Sequence, residues 1–428
     1  MHPNLSFEQA PPISVPYRFF LTAPWFGVLA GLLLAFVGGE AFASRWTMET
    51  LAATHLLVVG FMLQAMCGAL LQFVPVAAGG NIWRPRLVAN IVHPLLLVSA
   101  LLLAGAFLTQ RPALFIAAAH GFVLTLGFYG VLVSIALWRT PARGATIVAL
   151  RIALAALFVT VALGATLATG LAQGIPWPLP VLTDVHAAWG LGGWALTLLA
   201  GVSYFVVPMF QLTPPYPGWL ARGVPLLLLA VLLLWSLLLL MLDGNGRAIV
   251  FLAGLGAGGA FAAATLHLQH RRRRKVNDTT LLFFRTAMLS LLAIVFSGLV
   301  FALFPALGDD PRAPVWLGML ALVGVFVSAI GGMLYKIVPF LNWLHLQRLC
   351  SLNTLPPTMN QMIPERAMRG QFHLHLAALA LLLAAVWLPE LARPGGLAFA
   401  AGCAWLGWNL AAAVRAYQGF KNRIRAAA

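Results

Sequence analysis

Residues 54–76 read THLLVVGFMLQAMCGALLQFVPV, an apolar stretch punctuated by Gly60, Gly68 and Pro75. A run of about 20 apolar residues is the length of a membrane-crossing helix. The same punctuation returns at Gly193, Gly201 and Pro208 within residues 184–209, DVHAAWGLGGWALTLLAGVSYFVVPM, and again at Gly324, Gly332 and Pro339. The copies lie about 132 residues apart, so the chain reads as one unit written three times.

Composition sets the solvent. The 428 residues are 61% hydrophobic and 8% charged, with a mean hydropathy of +0.93, so most of the surface must face lipid. Twelve apolar runs follow, among them 47–76, 182–210 and 314–341 for helices 2, 6 and 10. Twelve helices in three copies give four helices per copy, an all-α polytopic membrane protein. Repeats are expected at about 1–140, 141–275 and 276–428 within a single membrane domain, with 342–371 as a cytoplasmic interfacial loop.

The net charge of +16 suggests nucleic acid, but its distribution argues against that. Basic residues crowd the loops after even-numbered helices, including Arg84, Arg86, Arg139, Arg143, Arg222 and the run Arg271 to Lys275. Single arginines follow odd-numbered helices. This bias predicts a multi-pass protein of a bacterial-type inner membrane with both termini in the cytoplasm, and makes the Arg271 to Lys275 run an anchor for anionic lipid. Residues Met1 to Tyr17 lack the pattern of a signal peptide. Cys67, Cys350 and Cys403 form no disulfide framework, and C-x-x-C-H, the covalent heme pattern, is absent.

On an ideal helix the two glycines and the proline of each copy share one stripe, where a neighbouring backbone can approach closely. The proline is expected to break the helix near its cytoplasmic end. Function is sought where the copies diverge. His55 opens helix 2 and His186 opens helix 6, while His120 lies two turns into helix 4. Imidazoles inside a bilayer are costly unless they pair, line water or bind metal, and the acidic residues all fall in loops, tails or helix ends. Heme iron or copper bound by neutral imidazole is the functional reading of His55, His120 and His186. The alternative is a core histidine satisfied by a carbonyl or hydroxyl. Ideal-helix arithmetic places His186 near its glycine stripe and His55 about 160° from the equivalent face, as expected for two ligands of one heme b, with His120 as a third polar group or alternative ligand. The opposite hand pairs His186 with Met319 instead. Nearer the cytoplasm, His93, His345 and His375 are candidates for a second cofactor or an anionic head group. Lys336 either snorkels to the interface or meets a proton or quinone.

The two quoted stretches, with histidines at the outer ends of helices 2 and 6 of twelve, resemble the catalytic subunit of heme-copper oxidases and nitric oxide reductases, and the NnrS-like heme and copper membrane proteins. The resemblance implies a heme-copper-oxidase-like bundle in which His55 matches the low-spin heme ligand of helix 2 and His186 the copper ligand of helix 6. The family also carries a His-His pair on helix 7 and His-x-His on helix 10. Here helix 7 has no histidine, and helix 10 offers Leu317 and Met319. The single His-x-His, His373-Leu374-His375, starts helix 11. A complete binuclear centre is therefore not expected, nor a buried carboxylate or polar ladder for proton pumping. The implied function is a cytochrome-like protein that transfers electrons from a quinol or cytochrome donor, or handles nitric oxide. As an enzyme it would be oxidoreductase-like, and a homo-oligomer is an open expectation. A transporter and a copper-binding or assembly protein remain alternatives.

Overall fold

The computed structural model describes residues 9–240, 246–273, 278–350 and 356–427. Among the described residues, twelve helices are long and apolar enough to cross a membrane. They are α1 (Ser14–Val37), α2 (Met48–Ala78), α3 (Pro85–Thr109), α4 (Pro112–Arg139), α5 (Ala145–Gln173) and α6 (Leu179–Gln211). The remainder are α7 (Gly218–Leu240), α8 (Arg247–His270), α9 (Thr279–Leu303), α10 (Ala313–Gln347), α11 (Glu365–Ala385) and α12 (Ala392–Ala427). No strand occurs among the described residues, so the protein is an all-α polytopic membrane protein. Of the basic run, Arg274 and Lys275 lie outside the described residues, as do Met1–Glu8 of the N-terminal segment.

Several helices outrun their apolar stretches, because a helix can continue past the hydrocarbon once its side chains turn polar. Helix α10 continues to Gln347 rather than ending at 341, and α11 starts at Glu365. Much of the expected 342–371 loop is therefore helical, including the short turn Met359–Met362 closed by a Thr358/Gln361 capping box.

One compact unit comprises residues 1–11, 70–275 and 288–313; the other comprises 12–69, 276–287 and 314–428. Within the first, α3 packs on α4, α4 on α5, α5 on α6 and α7 on α8. Within the second, α1 and α11 both pack on α12, and α2 lies against α1 and α10. Small residues let α1 and α12 approach to backbone contact: a Cβ on Gly31 would stand 2.6 Å from the Ala400 nitrogen, and one on Gly396 would stand 2.6 Å from that of Ala35. Gly31/Ala35 and Gly396/Ala400 thus form two facing small-xxx-small pairs.

Five of the six glycines of the threefold mark do the close packing expected of them, each against the first helix of its own copy. A Cβ on Gly60 would strike Phe26 of α1, and one on Gly68 would meet Phe19 at 2.7 Å. Gly193 and Gly201 face Ala156 and Ala149 of α5 at 2.7 and 2.6 Å, and Gly332 faces Phe283 of α9 at 2.5 Å. The expectation that the prolines end these helices is corrected. Pro75, Pro208 and Pro339 all lie inside helices that run on to Ala78, Gln211 and Gln347. A missing N–H inside a membrane helix is tolerated where neighbours and local adjustment re-satisfy the freed carbonyl.

The repeat has a feature that periodicity did not reveal. Each of its second helices opens into a π-helical segment: Leu56–Met62 in α2, Ala188–Leu196 in α6 and Leu320–Val327 in α10. The first glycine of every copy lies inside it. A π turn closes over five residues instead of four, so one extra residue slips the following helix by about 100°. The ideal-helix angles assigned to His55 and His186 were counted across these segments and do not carry over.

Four residues after that glycine, each copy holds a polar side chain with no solvent exposure: Gln64, Thr197 and Ser328. The Thr197 hydroxyl donates to the Gly192 carbonyl at 2.9 Å, and the Ser328 hydroxyl donates to Val323 O at 3.2 Å, each five residues back. Two of the three π segments are thus braced by a side chain at their inner end. In the first copy neither the nitrogen nor the oxygen of the Gln64 amide has a partner among the described residues.

Candidate functional site

His55 is the residue immediately before the π segment of α2, and His186 lies two positions before that of α6. Both are half-buried. The Nδ1 of His55 lies 2.7 Å from the carbonyl of Leu51, one turn back on its own helix. That of His186 lies 3.1 Å from the carbonyl of Thr160 on α5. The His186 ring fits against α5 because residue 164 is glycine; a Cβ there would stand 3.0 Å from the ring. A carbonyl oxygen only accepts, so each Nδ1 carries the proton, and in the neutral ring Nε2 is the nitrogen with a lone pair. An imidazole whose Nδ1–H is held by a carbonyl has the orientation and basicity typical of metal-ligating histidine. The donor chemistry at these two positions therefore fits heme iron.

His55 belongs to one compact unit, and His186 and His120 to the other. His120 is exposed on α4, with Nδ1 2.8 Å from the Ile116 carbonyl. Met319 is 7% exposed and ends the α-helical turn before the π segment of α10, the position that His55 holds in α2. Among the described residues no three His, Cys, Asp or Glu side chains gather as a metal site.

The candidates for a second cofactor or head group separate by environment. His93 is half-buried on α3. His345 is half-buried on α10, with Nδ1 3.0 Å from the Leu341 carbonyl. Lys336 forms an ion pair with Asp278 at 3.8 Å, both side chains less than one fifth exposed. Asp278 in turn caps α9, accepting from Thr280 Oγ1 at 2.8 Å and from the Leu281 N–H at 2.9 Å. Lys336 therefore ties α10 to the start of α9.

His375 has a different place. It is 3% exposed, its Nε2 lies 2.7 Å from Ser328 Oγ, and its ring packs on Phe283 with centroids 5.3 Å apart. The serine's one proton goes to Val323 O, so the imidazole donates. Seven residues along α10, Tyr335 donates to Gln371 Oε1 at 3.3 Å and accepts from Asn409 Nδ2 at 2.8 Å. Seven further on, Asn342 accepts from the Tyr17 hydroxyl and donates to the Ala413 carbonyl at 2.9 Å. Gln371 also donates to Gly402 O at 3.0 Å.

Ser328, Tyr335 and Asn342 form a buried row about 21 Å long that joins α10 to α1, α11 and α12. Sequence reasoning missed it because the partners are distant in the chain, although polar residues every seven positions in an apolar helix were a legible signal. Amides stand on both sides of Tyr335. They fix donors and acceptors and do not relay protons as hydroxyls and water do, so the row staples helices together.

Compared with known proteins, no family model matches the chain and no curated protein matches it.

Proposed function

We propose that the chain binds heme b within the membrane, with His55 and His186 each a candidate imidazole ligand of heme iron, and that it transfers electrons or handles a diatomic gas of the nitric oxide kind. No complete heme-copper binuclear centre enters this reading. The observation that supports it is the pairing of each Nδ1 with a backbone carbonyl, Leu51 O for His55 and Thr160 O for His186. Such pairing sets the tautomer in which Nε2 can ligate.

Bound heme would supply a one-electron couple and, where a coordination position stays open, a site for a diatomic ligand. The chain's part is to hold neutral imidazole in an apolar span. The Leu51 carbonyl orients one ring from within its own helix, and the Thr160 carbonyl with the space above Gly164 orients the other.

The visible spectrum of the purified protein tests the proposal. Sharp Soret and alpha bands that move on reduction are expected, and they should be lost or displaced in His55→Ala or His186→Ala. A colourless, metal-free preparation, or bands unchanged in both variants, overturns it. Carbon monoxide binding by the reduced protein then tells an open coordination site from a closed one.

A further inference from the structure

Three buried amide and phenol atoms without hydrogen-bond partners among the described residues occur along the facing strips of α6 and α8. On α8, Phe261, Thr265 and Gln269 recur every fourth residue and share a face. Opposite them, Tyr204 and Gln211 stand two turns apart on α6. Gln269 Nε2 donates to Gln211 Oε1 at 2.9 Å, which leaves Gln211 Nε2 and Gln269 Oε1 buried without a partner. Exchanging the nitrogen and oxygen of both amides changes nothing: one amide donor and one amide acceptor always remain. The two residues are 6% and 1% exposed. The Tyr204 hydroxyl is a third buried atom without a partner.

Aromatic rings line the same strip. Tyr216, from the connection after α6, lies 5.0 Å from Tyr204 edge-on and stacks on Phe261 at 6.3 Å and 16°. Its hydroxyl is 2.8 Å from Thr265 Oγ1, and burial pushes its phenol pKa up. The Arg273 N–H donates to the Leu212 carbonyl at 3.0 Å and closes the strip at the helix ends, where Leu212 adopts φ +54°.

Buried polar atoms are normally satisfied, and three unpaired ones in one strip call for a partner from outside the chain. That partner must accept from an amide N–H, donate to an amide oxygen and lie against aromatic rings. It must also reach the ends of two membrane helices beside the arginines that follow His270. We propose that this strip binds the head group of a quinol, a flat ring with paired hydroxyls on a lipid-soluble tail. Gln211 and Gln269 engage one of its oxygens, and Tyr204 the ring or the other oxygen. The proposal concerns binding and is independent of the heme reading.

The test is equilibrium binding of a short-chain ubiquinol analogue, kept reduced, to the full chain in detergent or nanodiscs. Saturable binding is expected. Gln211→Leu/Gln269→Leu should weaken it about tenfold or more, from the loss of one to two hydrogen bonds, without lowering the melting temperature, since the half-paired amides go together. Tyr204→Phe removes a single oxygen and should weaken binding severalfold; it serves if the double variant does not fold. No saturable binding by the parent, or equal binding by the parent and the folded variants, overturns the proposal. Ordered water alone at these atoms in a quinol-soaked experimental structure does so too.

Discussion

The three equivalent positions Gln64, Thr197 and Ser328 predict mutational effects of opposite sign. Gln64→Leu removes a fully buried amide whose two ends find no partner among the described residues, and keeps nearly the same volume. Each unpaired buried group costs about 1 kcal/mol or more, and in a membrane the unfolded reference also finds partners, which reduces the effect. A net stabilisation of about 1–2 kcal/mol follows, roughly a five- to thirtyfold shift in the unfolding equilibrium. Thr197→Val keeps shape and loses one hydroxyl–carbonyl bond, a destabilisation of about 0.6 kcal/mol. Ser328→Ala costs more, about 1–2 kcal/mol, because it removes the bond to Val323 O and also deprives the buried His375 Nε2 of its acceptor. Unfolding in mixed micelles, followed by the fluorescence of the 14 tryptophans, ranks the three variants. A loss of 1 kcal/mol or more in Gln64→Leu refutes the reasoning, because it means that the amide is hydrogen-bonded to something the chain does not supply.

Two further outcomes follow from packing and charge. Gly396→Ala places a Cβ 2.6 Å from the Ala35 nitrogen where ordinary contact begins at 3.4 Å, so α1 and α12 must part by about 0.8 Å, a cost of about 1–3 kcal/mol. Gly256→Ala, with nothing within 4 Å of the added carbon, should be neutral or slightly stabilising in the same melt, and equal effects of the two would count against the backbone contact. Asp278→Ala should destabilise more than Lys336→Met: the first removes a helix cap worth about 1 kcal/mol together with the ion pair, the second only a 3.8 Å pair. The reverse order in an unfolding titration would place the energy in the ion pair.

The candidate site was legible in part. His55 and His186 stood out as imidazoles in apolar spans, a statement about solvation that any apolar run supports. Their ring tautomers depend on carbonyls: for His55 the acceptor is four residues away and predictable from helix geometry, while for His186 it is Thr160, on another helix. His375 looked like an interfacial residue because the apolar run of helix 11 starts beside it, yet α11 begins ten residues earlier and Ser328 and Phe283 enclose the ring. Tyr204, Gln211 and Gln269 carried no signal at all, since an amide or a phenol in a long apolar sequence becomes informative only when its partners can be counted.

The sequence by itself determined the twelve spans, the threefold Gly/Gly/Pro mark and the close packing of its glycines. Hydrophobic length and the absence of a side chain act locally and can be read residue by residue. Only the tertiary structure decided that the marked helices open into π segments, that their prolines do not end them, and that Ser328, Tyr335 and Asn342 join four helices. Each of these depends on where a backbone or side-chain hydrogen bond goes. In a medium without water that choice is set by the nearest donor or acceptor in space, which here comes from helices up to 325 positions apart in the chain.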